Sequence, residues 1–359
     1  MITPFDDYPI HQTALPIAHP ASGDRNHYDR TFFNGFDVEA PMFFGVAMGI
    51  YPNRGVIDAA FTVVRDGIQR SVFASGRAPA DRAQAVGALA IEVIEPLRRA
   101  RVTVRGTADL VWQARTAALE EPRQTIHDGS VLVMDATRLV QWGTWTGWID
   151  VDGERIAVEA LPGTKDRSWG IRPVGEPAGG APTSAIAGGG LFMTWAPVHF
   201  DDHCTHAVIF ERPDGWRWYE SAAVLGVLGP GDATWEVEQE HAREIGVDVD
   251  FRPGTRRPRA ATLTYPDRSL SFEPVLDVPM KGLGYWHPDW AHGWWRGELA
   301  EGTDSWKLDE LDPLAFENLH VEQLCRVRAG EHTGVGVLET LIIGPHVPSG
   351  FTDLLDGAR

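Results

Sequence analysis

Three Asp-Gly dipeptides, Asp66-Gly67, Asp152-Gly153 and Asp214-Gly215, each fall where a strand-like run gives way to another. A tight two-residue hairpin loop whose twist matches its strands needs positive φ at both central residues, and Asp-Gly supplies it. The three sites therefore predict antiparallel hairpins. Around them lie short runs of alternating or continuous apolar character: Met42–Ile50, Val56–Val64, Arg101–Arg105, Asp109–Ala114, Ser130–Met134, Thr144–Ile149, Arg155–Ala160, Ala207–Phe210, Trp216–Glu220, Ala260–Tyr265, Ser269–Phe272 and Gly334–Ile343. Many short strands with turn signals between them predict a sandwich or barrel. Helical periodicity is scarce. Asp81–Ala100 carries Val86, Leu89, Val93 and Leu97 near helical spacing, but Ile91, Val93 and Ile94 before Pro96 favour a strand after a short helical start. Trp235–Glu244 and Lys307–Asn318 are each expected to form a short helix.

At 359 residues the chain is longer than one hydrophobic core usually serves. A faint repeat supports two related halves. Asn53-Arg54, Asp58-Ala59 and Asp66-Gly67 read against Asp201-Asp202, His206-Ala207 and Asp214-Gly215 at one shared offset of 148 residues, as 58 to 206 and 66 to 214 show. Glu176–Gly190, rich in Gly, Pro, Ala and Ser, reads as the connection. The expectation is an all-β chain with few short helices and two barrel domains, 1–180 and 190–359.

A net charge of −18 argues against nucleic acid and anionic membrane surfaces as partners. The longest apolar run, Pro41 to Tyr51, is too short to span a bilayer as a helix. Two cysteines, Cys204 and Cys325, and an N-terminus without a basic stretch before an apolar one predict a cytoplasmic protein. The 14 Trp suit both sheet cores and cavities for apolar ligands.

Three strings carry candidate chemistry. In GTKDRSWGIRPVG (Gly163–Gly175), Asp166 is a candidate acid or base, Arg172 its orienting partner through a bidentate pair, and Trp169 an apolar wall that raises its pKa. The bland alternative is an ion pair fixing a barrel corner. In YWHPDWAHGWWRGE (Tyr285–Glu298), a strand would put Trp286, Pro288, Trp290 and His292 on one face. An aromatic cage with His287, Asp289 and His292 suits protonation of an apolar substrate, although a Trp-rich strand pair closing a barrel fits equally well. In Gly334–Phe351, Glu339 is a lone acid among Val337, Leu338, Leu341 and Ile342, so it faces a cavity or pairs with Arg326 or Arg328. His203, His206, His287, His292, His320, His332 and His346 concentrate histidine in the second half, but no HExxH or Cys/His zinc pattern is present, and no metal site is expected. A GxSxG elbow and a phosphate loop are also absent, and Gly188-Gly189-Gly190 lacks the setting of a dinucleotide fingerprint.

The strings EEPRQ (Glu120–Gln124), TRLVQWGTWTG (Thr137–Gly147), GTKDRSWGIRPVGE, WHPDWAHGWWRGE and GVLETLIIGPHVPSGF resemble the lipocalin-like hydroxyneurosporene synthase superfamily over about residues 30–350. Its most specific element is DRSWG with the following RP, and Lys165 stands where Arg is frequent. The resemblance implies two tandem lipocalin-like antiparallel β-barrels. The branch named carotenoid 1,2-hydratase adds water across an isolated double bond without a redox cofactor, and related proteins shape polyenes for cyclisation. It therefore implies a terpenoid, steroid or polyketide-like ligand and hydration, dehydration, isomerisation or cyclisation by acid/base chemistry without a cofactor. Within the shared string the resemblance carries over to Asp166, Trp169 and Arg172. His287, Asp289 and His292 are expected to assist catalysis, and Trp169, Arg172, Trp286, Trp290 and Glu339 to contact substrate. A non-catalytic lipid carrier is the alternative, followed by an acidic docking protein.

Overall fold

The computed structural model describes residues 3–9, 14–176, 190–235 and 241–359. Residues 177–189 of the Glu176–Gly190 connection, with Gly188 and Gly189, and residues 236–240 of Trp235–Glu244 lie outside the described residues. Among the described residues no helix is long and apolar enough to cross a membrane.

The chain is all-β, and its strands form two antiparallel sheets. The first half contributes β1 (His27–Asp37), β2 (Met42–Tyr51), β3 (Val56–Arg65), β4 (Ile68–Arg77), β5 (Ala85–Val86), β6 (Leu89–Glu95), β7 (Arg99–Val104), β8 (Ala108–Ala114), β9 (Leu119–Asp128), β10 (Val131–Val151) and β11 (Glu154–Ile171). The second contributes β12 (Leu191–Trp195), β13 (Val198–His199), β14 (His203–Glu211), β15 (Arg217–Gly226), β16 (Gly246–Phe251), β17 (Pro258–Thr264), β18 (Ser269–Pro279), β19 (Leu299–Lys307), β20 (Val321–Ala329) and β21 (His332–Ile343). The first sheet runs β19-β4-β3-β2-β1-β11-β10-β8-β7-β6-β5, with β9 also on β10, and it curls into a nearly closed barrel. The second holds β12 to β18 with β20 and β21. One strand crosses over: β19, from the second half, pairs with β4 from Ile68 to Gly76.

Hairpins form at all three Asp-Gly sites. Asp66 and Gly67 (φ 53° and 72°) join β3 to β4, and Asp152 and Gly153 (φ 53° and 87°) join β10 to β11. Both residues take the positive φ that the tight turn demands. The third turn, β14 to β15, is longer and carries a register shift at Phe210/Glu211. Two expected helices are absent. Residues 78–84 form no helix before β5, and Arg82 has φ 55°, a left-handed value that breaks helical continuity. Over Lys307–Asn318 only two 3-10 turns form, Leu308–Glu310 and Phe316–Asn318. Pro313 separates them and brings no N–H, while Asp312 accepts from the Leu314 N–H at 2.9 Å to close a turn.

Each sheet packs its own interior. In the first, Phe33 meets Trp112 and Trp145 edge-on at 5.6 and 5.3 Å, and Trp145 Nε1 donates to the Asn34 carbonyl at 2.8 Å. That barrel is filled with side chains. In the second, Phe200, Ile209, Leu263 and Phe272 belong to a separate cluster. Cys204 and Cys325 are buried, free thiols. Space for a ligand opens instead between the outer face of β1, β10 and β11 and the second sheet.

Candidate active site

A cavity of about 1120 Å³ lies between the two sheets. Strand register puts its polar groups side by side. Ser168 on β11 pairs with Arg30 on β1 and Arg138 on β10, and Asp166 pairs with Phe32 and Val140. Because side chains alternate along a strand, Asp166 and Ser168 face the cavity while Lys165 and Arg167 face the opposite way. Across the cavity, β20 and β21 set Glu322 directly opposite Glu339, and β12 sets Trp195 beside Glu339. The segment after β18 closes the remaining side with Met280, Tyr285, Trp286, His292 and Trp294.

The carboxyls here do not behave alike. Burial pushes Asp166 up to about 7, the Glu121 charge adds to the rise and Arg138 opposes it. Asp166 Oδ1 is buried with no hydrogen-bond donor among the described residues, so nothing there stabilises the charged form. Glu322 is held well above its ordinary value by burial and by the Glu339 charge, and it accepts from Asn34 at 3.2 Å. A neutral Glu322 relieves what would otherwise be two like charges paired across strands. Glu339 bonds His320 Nε2 at 2.5 Å, while the other ring nitrogen, Nδ1, is buried and unpartnered. Glu339 thus has a histidine partner, and Arg326 pairs instead with Glu39 at 3.6 Å. Behind the wall, burial raises Glu121, but the His206 hydrogen bond at 2.9 Å and its charge outweigh burial and hold the carboxyl low.

His292 is a neutral ring in this arrangement. Burial and the Arg30 and Arg172 charges hold its pKa well below the ordinary value. Nε2 lies 2.8 Å from the Leu283 carbonyl, to which it donates, which leaves Nδ1 to accept from Arg30 Nη1.

The structure brings Asp166, Arg172, Trp286, His292 and Glu339 to one cavity. The bidentate pair expected between Arg172 and Asp166 does not form; Arg172 stacks over Tyr28 at 4.6 Å. Trp169 points away from Asp166 and packs with Leu97 and Leu139, because the two residues sit on opposite faces of β11. Tyr285–Glu298 is no strand but a series of turns, since His287 Nδ1 accepts the Asp289 and Trp290 N–H groups at 3.0 and 3.1 Å. His287 lies 3.5 Å from Asp304, Asp289 is exposed, and Trp290 stacks on Phe73 at 5.6 Å, so these three stand outside the large cavity. The other histidines are dispersed too: His203, His206 and His346 each meet a separate carboxylate. Among the described residues no group of three or more His, Cys, Asp or Glu is placed to hold a metal ion.

No curated protein matches the sequence. Residues 2–352 match a family described as of unknown function, DUF8625. The chain belongs to that family. Two solved structures share the fold of this DUF8625 chain. A protein titled AttH from Nitrosomonas europaea superposes with a TM-score of 0.54 at 13% identity, over 88% of this chain and 92% of that one. Kievitone hydratase from Nectria haematococca superposes with a TM-score of 0.51 at 12% identity, over 94% and 98%. At these identities the likeness establishes the fold, a lipocalin-like pair of antiparallel sheets.

Several cavity residues of the DUF8625 chain escape a reading by motif: Arg30, Arg138, Tyr285, His320 and Glu322. Alternation around Phe32 would have placed Tyr28 and Arg30 on one face, but no local pattern points His320 at Glu339. The turn segment is tied down at Gly293, whose N–H donates to buried Asp58 at 2.6 Å; Tyr51 donates to the same carboxyl at 3.2 Å. Asp58→Ala orphans both donors, each at about 1–3 kcal/mol. It is expected to speed amide hydrogen exchange across residues 285–298 while β6 to β8 stay protected. Unchanged exchange there would show that Asp58 does not anchor the segment.

Proposed function

We propose that this protein binds an apolar small molecule between its sheets and transforms it by cofactor-independent acid/base chemistry of the hydratase, dehydratase or isomerase type. The observation that carries this reading is Asp166, a carboxyl pushed up to about 7, so that it still holds a proton to give near neutral pH, in the wall of a large cavity. The fold likeness to kievitone hydratase and the resemblance to the hydroxyneurosporene synthase superfamily favour the same class.

In the hydration direction Asp166 gives its proton to one carbon of a double bond. Water adds to the other carbon, and the proton it sheds passes to His320, whose far nitrogen Glu339 holds. Solvent exchange then restores the proton on Asp166 and removes it from His320. Dehydration is the reverse, and loss of a neighbouring C–H proton in place of water addition gives isomerisation. Trp286 and Tyr285 at the wall stabilise the positive charge that develops on carbon.

The test is incubation of purified protein with a host lipid extract, read by mass spectrometry. Gain or loss of one water, or an isomer of unchanged mass with a new retention time, is the expected result. An apolar molecule retained but never altered makes the protein a carrier. Failure to retain any apolar molecule removes the cavity as a ligand site.

A further inference from the structure

Three arginines, Arg30, Arg138 and Arg172, line the cavity, and none has a carboxylate within ion-pair distance among the described residues. Other buried arginines of this chain do. Arg167 holds Asp29 at 2.5 Å, Arg256 holds Asp356 at 2.6 Å and Arg257 holds Asp277 at 3.3 Å. A guanidinium cannot shed its proton, so burial without a directly paired carboxylate leaves its donors open to an anion from elsewhere.

The groups that Arg30 and Arg172 touch are uncharged; the charge of buried Asp58 reaches both, but its two oxygens are taken by the Tyr51 hydroxyl and the Gly293 N–H. Arg30 bonds neutral His292, lies 3.4 Å from the Leu283 carbonyl and stacks on Tyr285 at 4.7 Å, with Nε buried and unsatisfied. Arg172 stacks on Tyr28, and its Nε is likewise buried without a partner. The acids of the same cavity supply little charge, since Asp166 and Glu322 are both pushed towards the neutral form and Glu339 is taken up by His320. Other walls are apolar: Met193, Val208, Phe210, Leu341 and Ile343.

We infer that the ligand is amphiphilic, an apolar body ending in a carboxylate that docks between Arg30 and Arg172. The planar fork of a guanidinium matches a carboxylate through two parallel hydrogen bonds, and the unsatisfied Nε atoms are part of that fork. Ser168, in register between Arg30 and Arg138, adds a hydroxyl on the path from this polar end to Asp166. The acid end of the ligand is thereby fixed at one pole and its hydrocarbon is laid past the proton donor. This inference rests on the cavity being the ligand site of the proposed function.

The test is fluorescence titration with cis-parinaric acid and with its methyl ester, on the wild type, Arg30→Gln and Arg172→Gln, each checked for its far-UV spectrum. The acid is expected to bind about 10–100-fold more tightly than the ester, from charge-assisted hydrogen bonds in a buried site. Arg172→Gln, which disturbs no hydrogen bond of the His292 segment, is expected to erase most of that preference and leave ester affinity unchanged. Equal affinities for acid and ester, or a preference that survives both substitutions, overturn the carboxylate while leaving an apolar ligand in place. Binding of neither probe overturns the inference together with the cavity reading beneath it.

Discussion

Asp166→Asn is expected to lower kcat by about 10²–10⁴-fold, the usual contribution of a positioned general acid, with ligand affinity nearly unchanged. Asn has the same shape and is neutral, as the wild-type carboxyl is below about pH 7, so the cavity wall survives the change. The wild-type rate is expected to fall as pH rises through about 7, where Asp166 gives up its proton. The variant should lack that limb. Stability supplies a second readout with a defined sign. The folded-state value is raised above that of the unfolded chain, about 3.9 for Asp, so the contribution of Asp166 is fully present below pH 4 and is lost as pH climbs towards 7. Asp166→Asn has no such penalty, and its Tm is expected to exceed that of the wild type by a few degrees above pH 7 while matching it at low pH. A variant that turns over at the wild-type rate would falsify the assignment of Asp166 as proton donor. A variant that loses both turnover and ligand would make Asp166 a binding group.

The hairpins were readable because their signal is local: Asp-Gly at the turn and alternation on either side settle pairing without reference to the rest of the chain. The chemistry was readable only in part, because proximity along a strand does not mean proximity in space. Asp166 and Trp169 are three residues apart and face opposite ways, whereas strand pairing sets Arg138 against Ser168, close enough for its charge to act on Asp166. His320 and Glu339, 19 positions apart, meet only once Val321 pairs with Thr340. Glu121 lay within a string that carried the family resemblance, yet its partner His206 comes from the other sheet. The Trp-rich segment misled for a different reason. Its period-two pattern is real in the letters, but His287 spends a ring nitrogen on capping a turn, and β19 then leaves for the first sheet. No local pattern announces a strand that joins another sheet.

Arg167→Met is expected to be the most damaging single substitution in the shared string, costing about 3–5 kcal/mol, the usual penalty for breaking a buried ion pair from one side. Arg167 is fully buried on the face of β11 opposite Asp166. It holds Asp29 at 2.5 Å and donates to the Asp7 and Tyr8 carbonyls at 2.9 and 3.1 Å and to Thr31 Oγ1 at 3.1 Å. Lys165, one alternation away, bonds the Asp7 carboxylate, and Asp7 in turn accepts from the Leu97 N–H at 2.7 Å. The two cations therefore fasten the segment before β1 against the barrel interior. Met keeps the volume but takes away the charge and four hydrogen bonds at once. Against a total stability of about 5–15 kcal/mol, that loss is expected to shift the denaturant midpoint sharply and to free residues 3–9 to proteolysis. The double variant Asp29→Asn with Arg167→Met separates charge from packing. Removing both charges takes away the carboxylate that Arg167→Met strands, so the pair reading expects the double variant to be more stable than Arg167→Met alone. If the double variant instead loses the sum of the two single effects, Arg167 acts through its hydrogen bonds to the Asp7 and Tyr8 carbonyls and not through Asp29. Either way, ligand titration of the folded fraction should match the wild type, because alternation along β11 keeps these cations out of the cavity that Asp166 and Ser168 line.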